Sequence, residues 1–273
     1  MSSFSRDEWA VILGGSSGFG LATARKLSSH GMSVCVVHRD RRGAMPRIEQ
    51  AFDEIRSHGG GFIALNLDAL SPEGVTTTLD ALRTAMGPTG RVKALLHSIA
   101  FGNLKPIAPP VSRTDDAHEA PILMDDEDIA RTIYSMGSSL LTWVQRLHGQ
   151  GLFAADARVF GLTSEGNAVS WKGYAAVAAA KVALESLSRA IAVEFGPHGI
   201  RSNILQPGVT DTPALRLIPG SGAMADHALK RNPLGRLTLP EDVANVLYLM
   251  CLPEAAWING ALLRIDGGEH IAA

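Results

Sequence analysis

The chain has 273 residues, 46% of them hydrophobic and 19% charged, with a formal net charge of −2. That balance suits a globular protein with a sizeable core and gives no electrostatic reason to bind nucleic acid or an anionic membrane. The two cysteines, Cys35 and Cys251, lie in apolar runs, which predicts buried free thiols with no disulfide and no metal site. The opening MSSFSRDEWA has no basic segment leading into an apolar one, and no apolar run reaches the roughly 18 residues of a membrane helix, so a reducing cytoplasm is expected.

In chain order, short apolar runs at 9–13, 33–38, 61–67, 92–98, 157–163, 200–206 and 261–266 read as strands. Several lack alternation, as strands covered by helices on both faces do. Helices are predicted at 18–30, 46–58, 71–86, 125–148, 172–195 and 240–252, the first stopped by glycine and the third opened by a Ser-Pro cap. This repeated β-α order predicts an α/β fold, a single Rossmann-type domain over 1–273 with a doubly wound parallel sheet. Two segments exceed ordinary loop lengths: 101–124, which reads as an inserted loop, and 207–233.

The first strand runs into LGGSSGFG, with Gly14, Gly18 and Gly20 spaced G-x-x-x-G-x-G. Taken alone the triplet is compatible with a tight turn. Placed between first strand and first helix it reads as a turn over which a pyrophosphate approaches the backbone and meets the free N–H groups of the helix.

This spacing resembles that of the short-chain dehydrogenase/reductase family, with Leu13 where the family usually has threonine. Asn66-Leu67-Asp68, QPGVTDT at 206–212 and RIDGG at 264–268 extend the resemblance along nearly the whole chain. It implies a nicotinamide cofactor held by Gly14, Ser16, Ser17, Gly18, Phe19 and Gly20, by Leu67 and Asp68, by Ser98, Ile99 and Ala100, and by Pro207, Gly208, Val209, Thr210 and Thr212. The position that selects NAD when acidic falls on His38, and the one often arginine in NADP-dependent members falls on Arg39. With Arg41 and Arg42 close by, NADPH is expected, while Asp40 leaves NADH open.

In ordinary members a tyrosine stands four residues before the lysine, one helical turn away, and exchanges a proton with a carbonyl oxygen. Here that position is Val177, and Tyr174 precedes Lys181 by seven residues. If both were helical, the phenol would lie about 10 Å farther along the axis on the same side. This spacing, with HSIAF at 97–101, resembles the enoyl-acyl-carrier-protein reductase branch; Met136 replaces the usual helix asparagine by alignment, and Ser164 keeps the family's serine position. The resemblance implies conjugate reduction of an enoyl thioester: Tyr174 stabilises the enolate, Lys181 holds the nicotinamide ribose, and Ser164 either assists the oxygen or lines the pocket. His97 reads as a satisfied structural group, and Trp143 and Trp171 as packing.

Segment 207–233 is expected to be the substrate lid, with Gly220 and Gly222 as hinges and Leu215, Leu217, Ile218 and Met224 as its apolar face. Phe101 and Tyr134 join Leu215 as expected pocket residues, and Arg216, Lys230, Arg231 and Arg236 would dock an acidic acyl-carrier protein. The family resemblance implies a homotetramer through 125–148 and 172–195. Two other readings stay open: a carbonyl or alcohol oxidoreductase with a rearranged site, and a catalytically silent NADP-binding sensor.

Overall fold

Seven β-branched and apolar runs form one parallel sheet: β1 Glu8–Leu13, β2 Ser33–His38, β3 Phe62–Asn66, β4 Arg91–His97, β5 Phe153–Leu162, β6 Ile200–Pro207 and β7 Leu262–Ile265. The structure, a computed structural model, describes residues 3–109, 122–218 and 220–272. The strand order is β3-β2-β1-β4-β5-β6-β7, so the chain reverses direction across the sheet between β1 and β4. In such sheets ligands bind outside the carboxyl ends of the strands at that switch point.

Helices α1 Gly18–Ser29, α2 Met45–Ser57 and α8 Pro240–Cys251 cover one face, burying Leu27, Phe52 and Leu247 against Ile12, Val36 and Phe160. On the other face lie α3 Pro72–Met86, α5 Ser139–Gly149 and α6 Ala175–Glu194, burying Leu79, Trp143 and Leu184 against Val11, Leu95 and Val159. Trp143 is fully buried, and its indole N–H donates to the Ala69 carbonyl at 3.0 Å. Cys35 and Cys251 sit in the two separate cores as free thiols, each pushed up to about 12 by burial.

Three elements differ from the sequence reading. The helix predicted at 125–148 is two helices, α4 Asp126–Ile133 and α5, joined by a π-helical turn at Tyr134–Ser138. That turn brings Gly137 so close to α6 that a Cβ there would lie 2.8 Å from the Ala180 carbonyl oxygen. The helix predicted at 172–195 begins at Ala175, because Gly173 takes φ +74, a left-handed conformation no helix continues through. Tyr174 is therefore its N-cap, outside the helix. Segment 207–233 contains a helix that the sequence reading does not include, α7 Ser221–Arg231. Of segment 101–124, expected from the sequence to be an inserted loop, residues 110–121 lie outside the described residues.

Candidate active site

A cavity of about 300 Å³ opens where β1, β4, β5 and β6 end. The glycine turn supplies Gly14, Ser17, Gly18 and Phe19 to its wall, the segment after β4 supplies Ser98, Ile99 and Ala100, and β6 runs on into Pro207, Gly208, Val209, Thr210 and Thr212. Gly20 lies beneath the turn, where a Cβ would come within 2.2 Å of the Gly14 carbonyl oxygen. Ser16 lines an adjoining open cleft with Arg25 and Arg47.

The turn fits a dinucleotide's phosphates on structural grounds. Ser17, the N-cap of α1, makes no side-chain capping bond, so the first N–H groups of that helix are left for another acceptor. A Cβ at Gly18 would meet only Thr212, at 3.5 Å, which leaves the space above the turn clear for a ligand's approach.

His38, Arg39, Leu67 and Asp68 do not line this cavity; they cluster at the ends of β2 and β3. His38 is buried with Nδ1 2.9 Å from Asp40 Oδ2. Arg39 donates to Asp68 at 2.9 Å and lies over the Phe101 ring, 4.7 Å from its centroid. Phe101 is 41% exposed and stacks between Arg39 and Arg131, facing this cluster instead of the cavity. Tyr134 also lies off the cavity wall, donating to the Leu70 carbonyl at 3.0 Å. Of the three expected pocket residues, Leu215 alone lines the cavity, and Trp171, expected in the packing, lines it too.

In the cavity wall, Tyr174 Oη is 3.4 Å from Ser164 Oγ. Burial raises the phenol's pKa, with the serine hydrogen bond opposing it, so Tyr174 holds its proton at neutral pH. Lys181 is buried and donates to the Leu162 carbonyl at 2.8 Å; burial pushes its ammonium down to about 8, against the attraction of Glu185. Val177 and Met136, the two positions to which the sequence resemblance assigns the relay tyrosine and asparagine of ordinary members, line the same cavity and are apolar. His97 is buried with Nε2 2.7 Å from Ser139 Oγ and Nδ1 without a partner. Its pKa falls to about 3 through burial and the nearby Lys181 charge, so it stays neutral.

Several site residues were not legible in the sequence. Arg231, read as surface, is mostly buried in the cavity wall and pairs with Glu165 and, at 3.1 Å, with Glu269. Glu269 Oε2 also accepts from the Val209 N–H at 3.1 Å. Glu185 accepts from Thr163 and Asn167. The one signal for it was its place four residues after Lys181, on the same helix face. Two more of the expected docking cations are paired within the chain: Arg216 binds Asp211 and Arg236 binds Asp242, each bidentately. Among the described residues no cluster fits a metal ion, and no helix is long and apolar enough to cross a membrane.

A family model described as enoyl-(acyl carrier protein) reductase matches residues 14–270. A probable 2,4-dienoyl-CoA reductase, (2E)-enoyl-CoA-producing, of Bacillus subtilis is 30% identical over 267 residues, covering 96% of each chain. The crystal structure of a Burkholderia cenocepacia short-chain dehydrogenase in complex with NADP shares 26% identity and superposes with a TM-score of 0.77, over 97% of this chain and 98% of that one. A 3-ketoacyl-(acyl-carrier-protein) reductase from Brucella melitensis complexed with NADH shares 25% identity at a TM-score of 0.74, over 96% and 98%. With the family match spanning almost the full length and the same sheet in its structural relatives, the chain belongs to the short-chain dehydrogenase/reductase family of NAD(P)-dependent oxidoreductases.

Proposed function

We propose that the chain reduces the carbon–carbon double bond of a trans-2-enoyl thioester with NADPH. The observation that carries this reading is the pairing of Tyr174 with Ser164 at the cavity while Val177 and Met136, which hold no transferable proton, occupy the relay positions of a carbonyl reductase. NADPH, when bound, supplies a hydride to the β-carbon of the substrate. The glycine turn and Thr210 and Thr212 would hold its phosphates and nicotinamide, and Arg39 its 2′-phosphate.

As negative charge builds on the thioester oxygen, the Tyr174 phenol donates a hydrogen bond to it, and Ser164 keeps the phenol aimed. Lys181 contributes positive charge behind the oxygen and donors for ribose hydroxyls. The apolar wall of Leu104, Met136, Trp171, Leu215 and Met224 takes the acyl chain and excludes water. Coenzyme A is the carrier this reading favours, because three of the four expected docking cations, Arg216, Arg231 and Arg236, are paired within the chain, which leaves exposed Lys230 to meet an acidic carrier protein.

A specific observation supports a second reading: Ser164, Tyr174 and Lys181 together are also the group types that reduce a carbonyl. NADPH absorbance separates the two. Oxidation is expected with a trans-2-enoyl-CoA and about tenfold or more slower with the matching 3-oxoacyl-CoA; the reverse preference would overturn the enoyl reading, and silence with both would favour a sensor.

We further propose a homotetramer assembled through α4, α5 and α6. In support, α6 leaves Val182 and Val193 exposed, at 49% and 76%. Light scattering is expected to give about four times the 28.9 kDa chain mass; a monomer mass at micromolar concentration rules the assembly out.

A further inference from the structure

The turn that carries Ser164 is held from α6. Thr163 Oγ1 and Asn167 Nδ2 both donate to Glu185 Oε1, the amide at 2.6 Å, so one carboxylate oxygen grips the chain immediately before and three residues after Ser164. Between these points Gly166 presses on Tyr174, where a Cβ would lie 2.5 Å from the ring. Glu185 stands one helical turn after Lys181, whose ammonium reaches back to the carbonyl of Leu162, the residue before Thr163. The carboxylate thus ties the serine turn to the helix that bears the lysine.

We propose that Glu185 is a positioning residue of the reduction site, holding Ser164 against Tyr174 through its bonds to Thr163 and Asn167. This rests on the reading of the cavity as the reducing centre. The alternative, a carboxylate that only caps a surface turn, is disfavoured because both donors flank a residue in hydrogen-bonding reach of the phenol. The same carboxylate has a second consequence. The groups facing Lys181 are neutral His97 from β4, the Leu162 carbonyl from β5 and Glu185 on α6; Glu185 is the anion that supports the ammonium against burial.

The test compares Glu185→Ala, Glu185→Gln and Asn167→Ala with the unaltered chain by hydrogen exchange of residues 163–168, without substrate, and by steady-state kinetics against pH. Glu185→Ala is expected to speed exchange in that turn at least about tenfold and to lower kcat about 10–100-fold, with KM for NADPH within about twofold. Glu185→Gln keeps an acceptor oxygen, so exchange and kcat at pH 6.5 return to within about threefold. Its alkaline limb moves to lower pH, because Lys181 loses its anion and gives up its proton sooner. Asn167→Ala, which removes one donor, falls between them and serves if Glu185→Ala does not fold.

Unaltered exchange in Glu185→Ala, or Glu185→Gln as defective at pH 6.5 as Glu185→Ala, overturns the proposal. If the unaltered chain reduces a 3-oxoacyl thioester instead of an enoyl one, the enoyl reading fails while the same comparison, run on that substrate and on exchange, still decides the role of Glu185.

Discussion

Tyr174→Phe is expected to lower kcat for enoyl-thioester reduction by about 10²–10³-fold, with KM for NADPH changed less than about twofold, since removal of one oxyanion donor typically costs that much. The substitution deletes one hydroxyl and little else. The ring that packs against Gly166 is retained, and the lost partner, Ser164 Oγ at 3.4 Å, sits at a long hydrogen-bond distance, so Tm should shift little. Under the proposed enoyl reduction the effect belongs to the transition state, because the negative charge on the thioester oxygen would develop only as hydride arrives. Burial keeps the phenol protonated, so the defect should persist across neutral pH and not be recovered at low pH. Single-turnover kinetics with saturating enoyl-CoA measures it. A variant within about fivefold of the unaltered chain would show that another donor stabilises the enolate and would remove Tyr174 from the mechanism.

Much of this arrangement was legible in the sequence because it depends on neighbours. The strand runs needed only apolar, β-branched composition, and the glycine turn only its spacing after β1. The seven-residue step from Tyr174 to Lys181 was visible, but its geometry was not, because Gly173 ends the helix one residue short of the tyrosine and makes it a cap. The features not legible in the sequence depend on distant packing. The π-turn at Tyr134–Ser138 goes with the close approach of Gly137 to Ala180, a contact no local pattern marks. Arg231 reads as a surface cation until the fold brings Glu165, 66 residues away, and Glu269, 38 residues away, to meet it. Phe101 and Tyr134 follow strand β4 and helix α4, close to the cavity in sequence, yet one stacks on arginines and the other reaches Leu70. Propensity and spacing place a residue on an element; they do not say which way a side chain leaves a loop.

Lys181→Met is expected to abolish turnover, by about 10³-fold or more, and yet leave the fold as stable as before or slightly more so. Under the proposed mechanism the activity loss follows from removing the cation behind the developing oxyanion and a donor for the ribose. The stability follows from burial. Holding an ammonium whose pKa is about 8 in the fold and 10.5 when fully hydrated costs roughly 3 kcal/mol at neutral pH. Against that gain, methionine leaves the Leu162 carbonyl without its 2.8 Å donor, a loss of about 1–3 kcal/mol, so the net change lies between about zero and +2 kcal/mol. The sign carries a pH signature. Below pH 8 both folded and unfolded chains carry the proton and the cost is present in full. Between pH 8 and 10.5 the unfolded chain binds more protons than the folded one, so the unaltered chain gains stability relative to the variant as pH rises. Urea unfolding of the two chains from pH 6.5 to 10 should therefore show a variant advantage that shrinks with pH. A variant less stable by more than about 2 kcal/mol throughout would mean that contacts of the ammonium outweigh its desolvation, and the lysine would then be structural as well as catalytic.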